Sequence, residues 1–129
     1  DFPETKFMLM HIAYPYQDAL VALCKQMPQV YVDMCWAWIL NPAASVRFVK
    51  EFLMAAPASK LFPFGGDFRP VELVPGHARM ARQGIAQALT ELVAEGWLAE
   101  SDVPDLAERL LRGNAHEHYD LERTLKNWV

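Results

Sequence analysis

No apolar run in this 129-residue chain approaches the roughly 18 residues that a membrane span needs. Positive charge is not in excess either. Twelve Lys and Arg stand against sixteen Asp and Glu, a net charge of -4, which leaves no broad basic field for nucleic acid. Neither a G-x-G-x-x-G nor a P-loop spacing occurs, so a glycine-rich nucleotide cradle is not expected. The first residues lack the basic and continuous apolar regions of a signal peptide. Only two cysteines are present, Cys24 and Cys35, both in apolar surroundings. Buried free thiols in a reducing, cytoplasmic setting are the expectation, with a disulfide between them as the alternative.

What is present suffices for one domain with a core: 53% of residues are apolar and 22% charged, the balance of an ordinary soluble globular chain. Residues 7–13 are apolar on both faces and read as a buried parallel-type strand, stopped by Tyr14-Pro15-Tyr16. Leu20, Leu23, Cys24 and Met27 recur at helical spacing over residues 17–27. Residues 30–36 are rich in β-branched and aromatic types, a second strand. Asn41 and Pro42 have the form of an N-cap followed by proline at the first helical position, opening a helix to about residue 54. A third strand is expected over 60–65.

A long helix follows over about 76–95, with Gly96 placed to end it in the left-handed conformation. Asp102 and Asp105 fit the start of another helix, carrying Leu106, Leu110 and Leu111 inward and ended by Gly113. Asn114 and Glu117 have capping-box spacing for a last one. The order β-α-β-α-β-α-α-α predicts an α/β fold with a parallel sheet and right-handed crossovers.

Parallel strands bring their carboxyl ends to one rim, where ligands bind in such folds. His11, the end of the second strand near Asp33–Trp36, and Asp67 all fall there. Imidazole and carboxylate suit a divalent metal such as zinc or manganese, and an aspartate beside it can serve as general base. The plainer reading of His11 is a hydrogen-bonded core residue, and for Asp33 a structural, hydrogen-bonded acid.

Four segments, in order, resemble the carboxyl-terminal half of the amidohydrolase-type metal-dependent hydrolases. The resemblance is to the branch that also contains glucuronate-isomerase-like and decarboxylase members. LMHIAYPYQDALVAL (residues 9–23) is similar to the family's sixth barrel strand, with its histidine and Tyr-Pro turn. MPQVYVDMCW (27–36) resembles the seventh, KLFPFGGDF (60–68) the eighth, and LLRGNAHEHYDL (110–121) the terminal helix. The resemblance implies that residues 1–129 form one partial domain, the last three strands of a (β/α)8 TIM barrel. It implies that His11 binds a divalent metal, zinc or manganese, or contacts the reacting group, and that Asp67 binds the metal or moves a proton, in an intact enzyme acting on a small-molecule substrate. Trp36, Trp38 and Arg69 are then rim residues able to shape a substrate pocket, loop packing being their plainer role.

The family's first-strand His-x-His pair is missing. His116 and His118 have the letters on a helix, where positions i and i+2 diverge, and His77 at a helix start reads as a solvated residue. A barrel of this class takes about 250 residues, and the chain opens Asp1-Phe2-Pro3 without an initiator methionine. A fragment is therefore expected, inactive alone, with open sheet edges that recruit the missing half of the barrel or a second copy. The rival class is a non-catalytic α/β domain for assembly or binding. The letters GGDF resemble the Gly-Gly-Asp-Glu-Phe signature of diguanylate cyclases, but the glutamate and the long-stranded hairpin around it are absent.

Overall fold

The computed structural model describes residues 2–126. Three parallel strands, β1 (Phe7–Met10), β2 (Val30–Asp33) and β3 (Leu61–Phe62), lie in the order β1-β2-β3. Helix α1 (Gln17–Gln26) joins the first two. The short α2 (Ala37–Leu40) and the longer α3 (Pro42–Ala55) join the second pair. Then come α4 (Val74–Ala94), α5 (Val103–Glu108), α6 (Asn114–Tyr119) and α7 (Leu121–Lys126). Among the described residues no helix is long and apolar enough to cross a membrane.

Burial follows the pleat. In β2, Val30 and Val32 are buried and alternate with half-buried Tyr31 and Asp33, as a period of two requires. The valines join Cys24 of α1, Phe48 and Phe52 of α3, and Ile85 of α4 in one core. Asn41 caps α3 by accepting the Ala44 N–H at 3.0 Å, with Pro42 next in line. Gly96 closes α4 at φ 78°, its N–H on Val93 C=O and the Trp97 N–H on Leu92 C=O, the paired bonds of a Schellman end. Lys60, buried, donates to the Cys24 and Met27 carbonyls at 2.7 Å each, tying the end of α1 to the start of β3.

The strands are shorter than the sequence predicts. β1 ends at Met10 because His11, Ile12 and Ala13 all take positive φ. β2 ends at Asp33, whose side chain takes the Cys35 N–H. β3 stops at Phe62 because Pro63 has no N–H for the ladder. Gly113 does not end a helix either. Its backbone stays right-handed, inside a π-helical turn (Arg109–Gly113) that joins α5 to α6. Asn114 is no cap: it is buried, and its amide donates to the Ala58 and Leu61 carbonyls at 2.7 and 2.8 Å.

That bond bears on the sheet edges. Phe62 C=O faces β2 and takes the Met34 N–H, so the preceding Leu61 C=O faces the outer side, where Asn114 meets it. The β3 edge, expected to be open, is thus partly closed by the chain's own helix. β1 pairs only with β2 among the described residues, and Phe7 and Met10 are 41% and 48% exposed.

Candidate metal centre

Register sets the site. Met10 pairs with Asp33, and Asp33 with Phe62, so the three strands end level. The residues that follow gather on one rim: His11 one step past β1, Cys35 two steps past β2, Asp67 five steps past β3. All three are left-handed, at φ 63°, 46° and 47°. For residues with a Cβ this costs on the order of 1–2 kcal/mol each, and such strain persists only where the surroundings enforce it. At β1 the enforcement is visible: Ile12, β-branched and also left-handed, is buried in the core, and its burial pins the turn that presents His11.

One ligand atom from each of His11, Cys35 and Asp67 lies within 4.8 Å of the others. The Cys35 thiol donates to Asp67 Oδ2 at 3.5 Å. His11 Nδ1 is buried without a hydrogen-bond partner. Asp33 Oδ1 accepts the Cys35 N–H at 2.8 Å, so the structural, hydrogen-bonded role read for Asp33 is the one it plays: it turns the chain that aims Cys35. Gly65 lies against this carboxylate, and a Cβ there would come within 2.7 Å of Asp33 Oδ1. Trp36 donates from Nε1 to the Asp67 carbonyl at 2.8 Å, its ring 5.1 Å from that of Phe68.

The electrostatics are those of a site short of positive charge. Burial raises the Asp33 pKa; the Cys35 N–H and nearby His11 oppose this, and Asp67 adds to it. Cys35 is pushed up to about 11, by burial first, then by the charges of Asp33 and Asp67 and the bond to Asp67. Carboxylates on a buried thiol are a surrounding that a cation would reverse. The donor types suit one: an imidazole nitrogen, a sulfur and a carboxylate oxygen are zinc ligands, and in a tetrahedral shell with bonds of about 2.0–2.3 Å they would draw in to about 3.3–3.8 Å of one another, from the 4.8 Å within which they lie.

His11 and Asp67 are therefore brought together, as the sequence predicts, and Trp36 stands beside them. Arg69 is exposed on the same loop. Trp38 is a correction. It is 1% exposed, and its Nε1 donates to Pro63 C=O at 2.7 Å; the start of α2 at Ala37 turns it into the core rather than to the rim. His77 is a second correction, 2% exposed because α4 begins earlier than expected. Its ring packs 5.0 Å from Phe64 and 5.4 Å from Phe68. Neither ring nitrogen makes a full hydrogen bond; burial lowers its pKa, opposed by the Gly66 backbone. Cys35 is the residue that sequence reading missed. It is buried and free as expected, but its place two residues beyond a strand-ending aspartate is the signal that it faces the rim. A family model described as amidohydrolase matches residues 1–121. No curated protein matches the chain.

Proposed function

The chain belongs to the amidohydrolase family, and we propose that it is the closing part of a TIM-barrel, metal-dependent enzyme. The reaction is hydrolysis, decarboxylation or isomerisation of a small carboxylated or amide substrate. His11 and Asp67 hold the divalent metal. One observation carries this reading: the imidazole of the first strand's end and the carboxylate beyond the third converge on one rim, although 56 positions apart in sequence. When bound, a divalent ion supplies Lewis-acid polarisation and acidifies water. Asp67, exposed on the rim, is placed to take up and return a proton on the substrate side. Trp36 keeps that carboxylate in position through the Asp67 backbone.

Three strands do not close a barrel of eight. We place the activity in the assembly that completes the sheet, with the apolar, exposed β1 edge as the side that recruits the rest of the barrel or another copy. A non-catalytic assembly domain is the competing reading, and metal binding separates the two. Isothermal titration of zinc and manganese should find about one ion per chain. His11→Ala and Asp67→Ala should each weaken the tighter ion at least about tenfold, the scale on which even outer-shell partners matter. Unchanged binding in both variants, or none in the wild type, overturns the enzyme reading.

A further inference from the structure

We propose that Cys35 is a third protein ligand of this ion, making the rim a thiolate site that selects zinc-like over manganese-like metals. This rests on the metal reading of His11 and Asp67 and adds a donor and a selectivity to it. The Cys35 sulfur already sits with the other two donors inside a 4.8 Å cluster, and the residue is 1% exposed, so water competes little for it. The backbone is bent to bring it there: φ is 46°, with Asp33 holding the turn through the Cys35 N–H. As a free thiol it receives little in return, a 3.5 Å bond to Asp67. Beside it, His11 Nδ1 is buried and unpartnered. An ion held by the sulfur and a His11 ring nitrogen would give the thiol a stronger partner than that bond.

Selectivity follows from donor softness. Thiolate and imidazole suit zinc and cobalt, whereas manganese prefers carboxylate, carbonyl and water oxygens. On binding, the S–H bond breaks, a sulfur–metal bond forms, and the proton leaves to water past the exposed Asp67, so one proton is released per ion from this residue. Cys24 supplies a control within the same chain. It is wholly buried in the core, and Lys60 binds its backbone carbonyl.

The test is cobalt(II) titrated into the purified chain and followed by absorption. The wild type should show visible ligand-field bands together with a near-ultraviolet sulfur-to-cobalt charge-transfer band. Cys35→Ser should keep the former and lose the latter, and Cys24→Ser should keep both. Zinc affinity should fall at least about tenfold in Cys35→Ser, with manganese affinity moving less than about threefold. Ligand-field bands without charge transfer in the wild type would overturn the thiolate ligand and leave the His11–Asp67 site standing. No cobalt bands at all would overturn both. A charge-transfer band that survives in Cys35→Ser assigns the sulfur elsewhere and overturns the proposal. Should Cys35→Ser lose its helical circular dichroism, zinc X-ray absorption of the wild type decides: one sulfur at about 2.3 Å supports the ligand, and a first shell of nitrogen and oxygen alone overturns it.

Discussion

Trp36 and Trp38 stand two residues apart, and each donates its indole N–H to a carbonyl of the same loop, at Asp67 and Pro63. One belongs to the rim and the other to the core. Trp38 fills the space over α4 so closely that a Cβ on Gly84 would fall 2.1 Å from its ring. Trp36 is half-buried and leans on Phe68. The loop carrying Asp67 is thus fastened twice: at its root to packed interior, and near its tip to a residue of the site itself. Stability and site geometry are handled by different neighbours, and the two should separate under mutation.

The largest separation is expected from these two residues. Trp38→Ala empties a buried aromatic site and should cost about 4 kcal/mol. Trp36→Ala loses one hydrogen bond and a partly exposed aromatic contact, about 1 kcal/mol, while weakening zinc binding through the loosened Asp67. Urea unfolding of both variants, with a zinc titration on each, checks this. Equal losses of stability would erase the distinction between core and rim.

More of the core than of the rim is legible in the sequence, although Leu23, Met27 and Leu111, expected to face inward, are exposed, each at the edge of its helix's apolar stripe. The extents of α3 and α4, the Asn41–Pro42 start and the Gly96 end rest on local chemistry, which sequence displays directly. The parallel order followed from alternation. The rim was legible only in outline. His11 and Asp67 were found because they follow apolar strands, but the strand ends were placed too late. The first strand's end is set by left-handed residues that are not glycine, the second's by the Asp33 side chain on the Cys35 N–H and the third's by Pro63; His11, Cys35 and Asp67 carry no local mark of the left-handed conformation. Trp38 and His77 were misplaced for a related reason. Trp38 lies in the short α2, which reads as loop in the sequence, and His77 lies near the start of α4, where a shift of two residues exchanges buried for exposed. Asn114 resembled a cap because its spacing to Glu117 was right; that its amide serves β3, more than fifty residues earlier, is a tertiary fact.

Asn114 offers the next test of the same contrast. It supports β3 from the end away from the rim, satisfying two carbonyls with one amide. Asn114→Ala leaves both without that donor and should cost about 2 kcal/mol, between the two tryptophan variants. Zinc affinity should stay within about twofold of wild type, since no ligand depends on this end of the strand. A parallel loss of metal binding would mean that the rim takes its geometry from the whole strand rather than from its own turns.

The smallest effect is expected at His77, which belongs to both regions: buried like the core, yet packed beneath Phe64 and Phe68 of the Asp67 loop. Burial holds its folded-state pKa below the ordinary histidine value. Above about pH 6.5 the ring is neutral folded or unfolded and contributes no pH dependence. As pH falls below that value the unfolded chain takes up a proton that the folded chain refuses, so stability declines until the lowered folded pKa is passed. One such group gives a slope of less than about 1.4 kcal/mol per pH unit. His118, also lowered by burial and then by Lys6, slopes the same way but is present in both proteins. The difference between wild type and His77→Phe therefore isolates the single ring. The variant keeps an aromatic beneath the loop, and its stability measured by urea unfolding from pH 7 to 5 should fall less steeply. Identical slopes would mean that His77 titrates as a solvated residue, and that water reaches its ring despite the packing against Phe64 and Phe68.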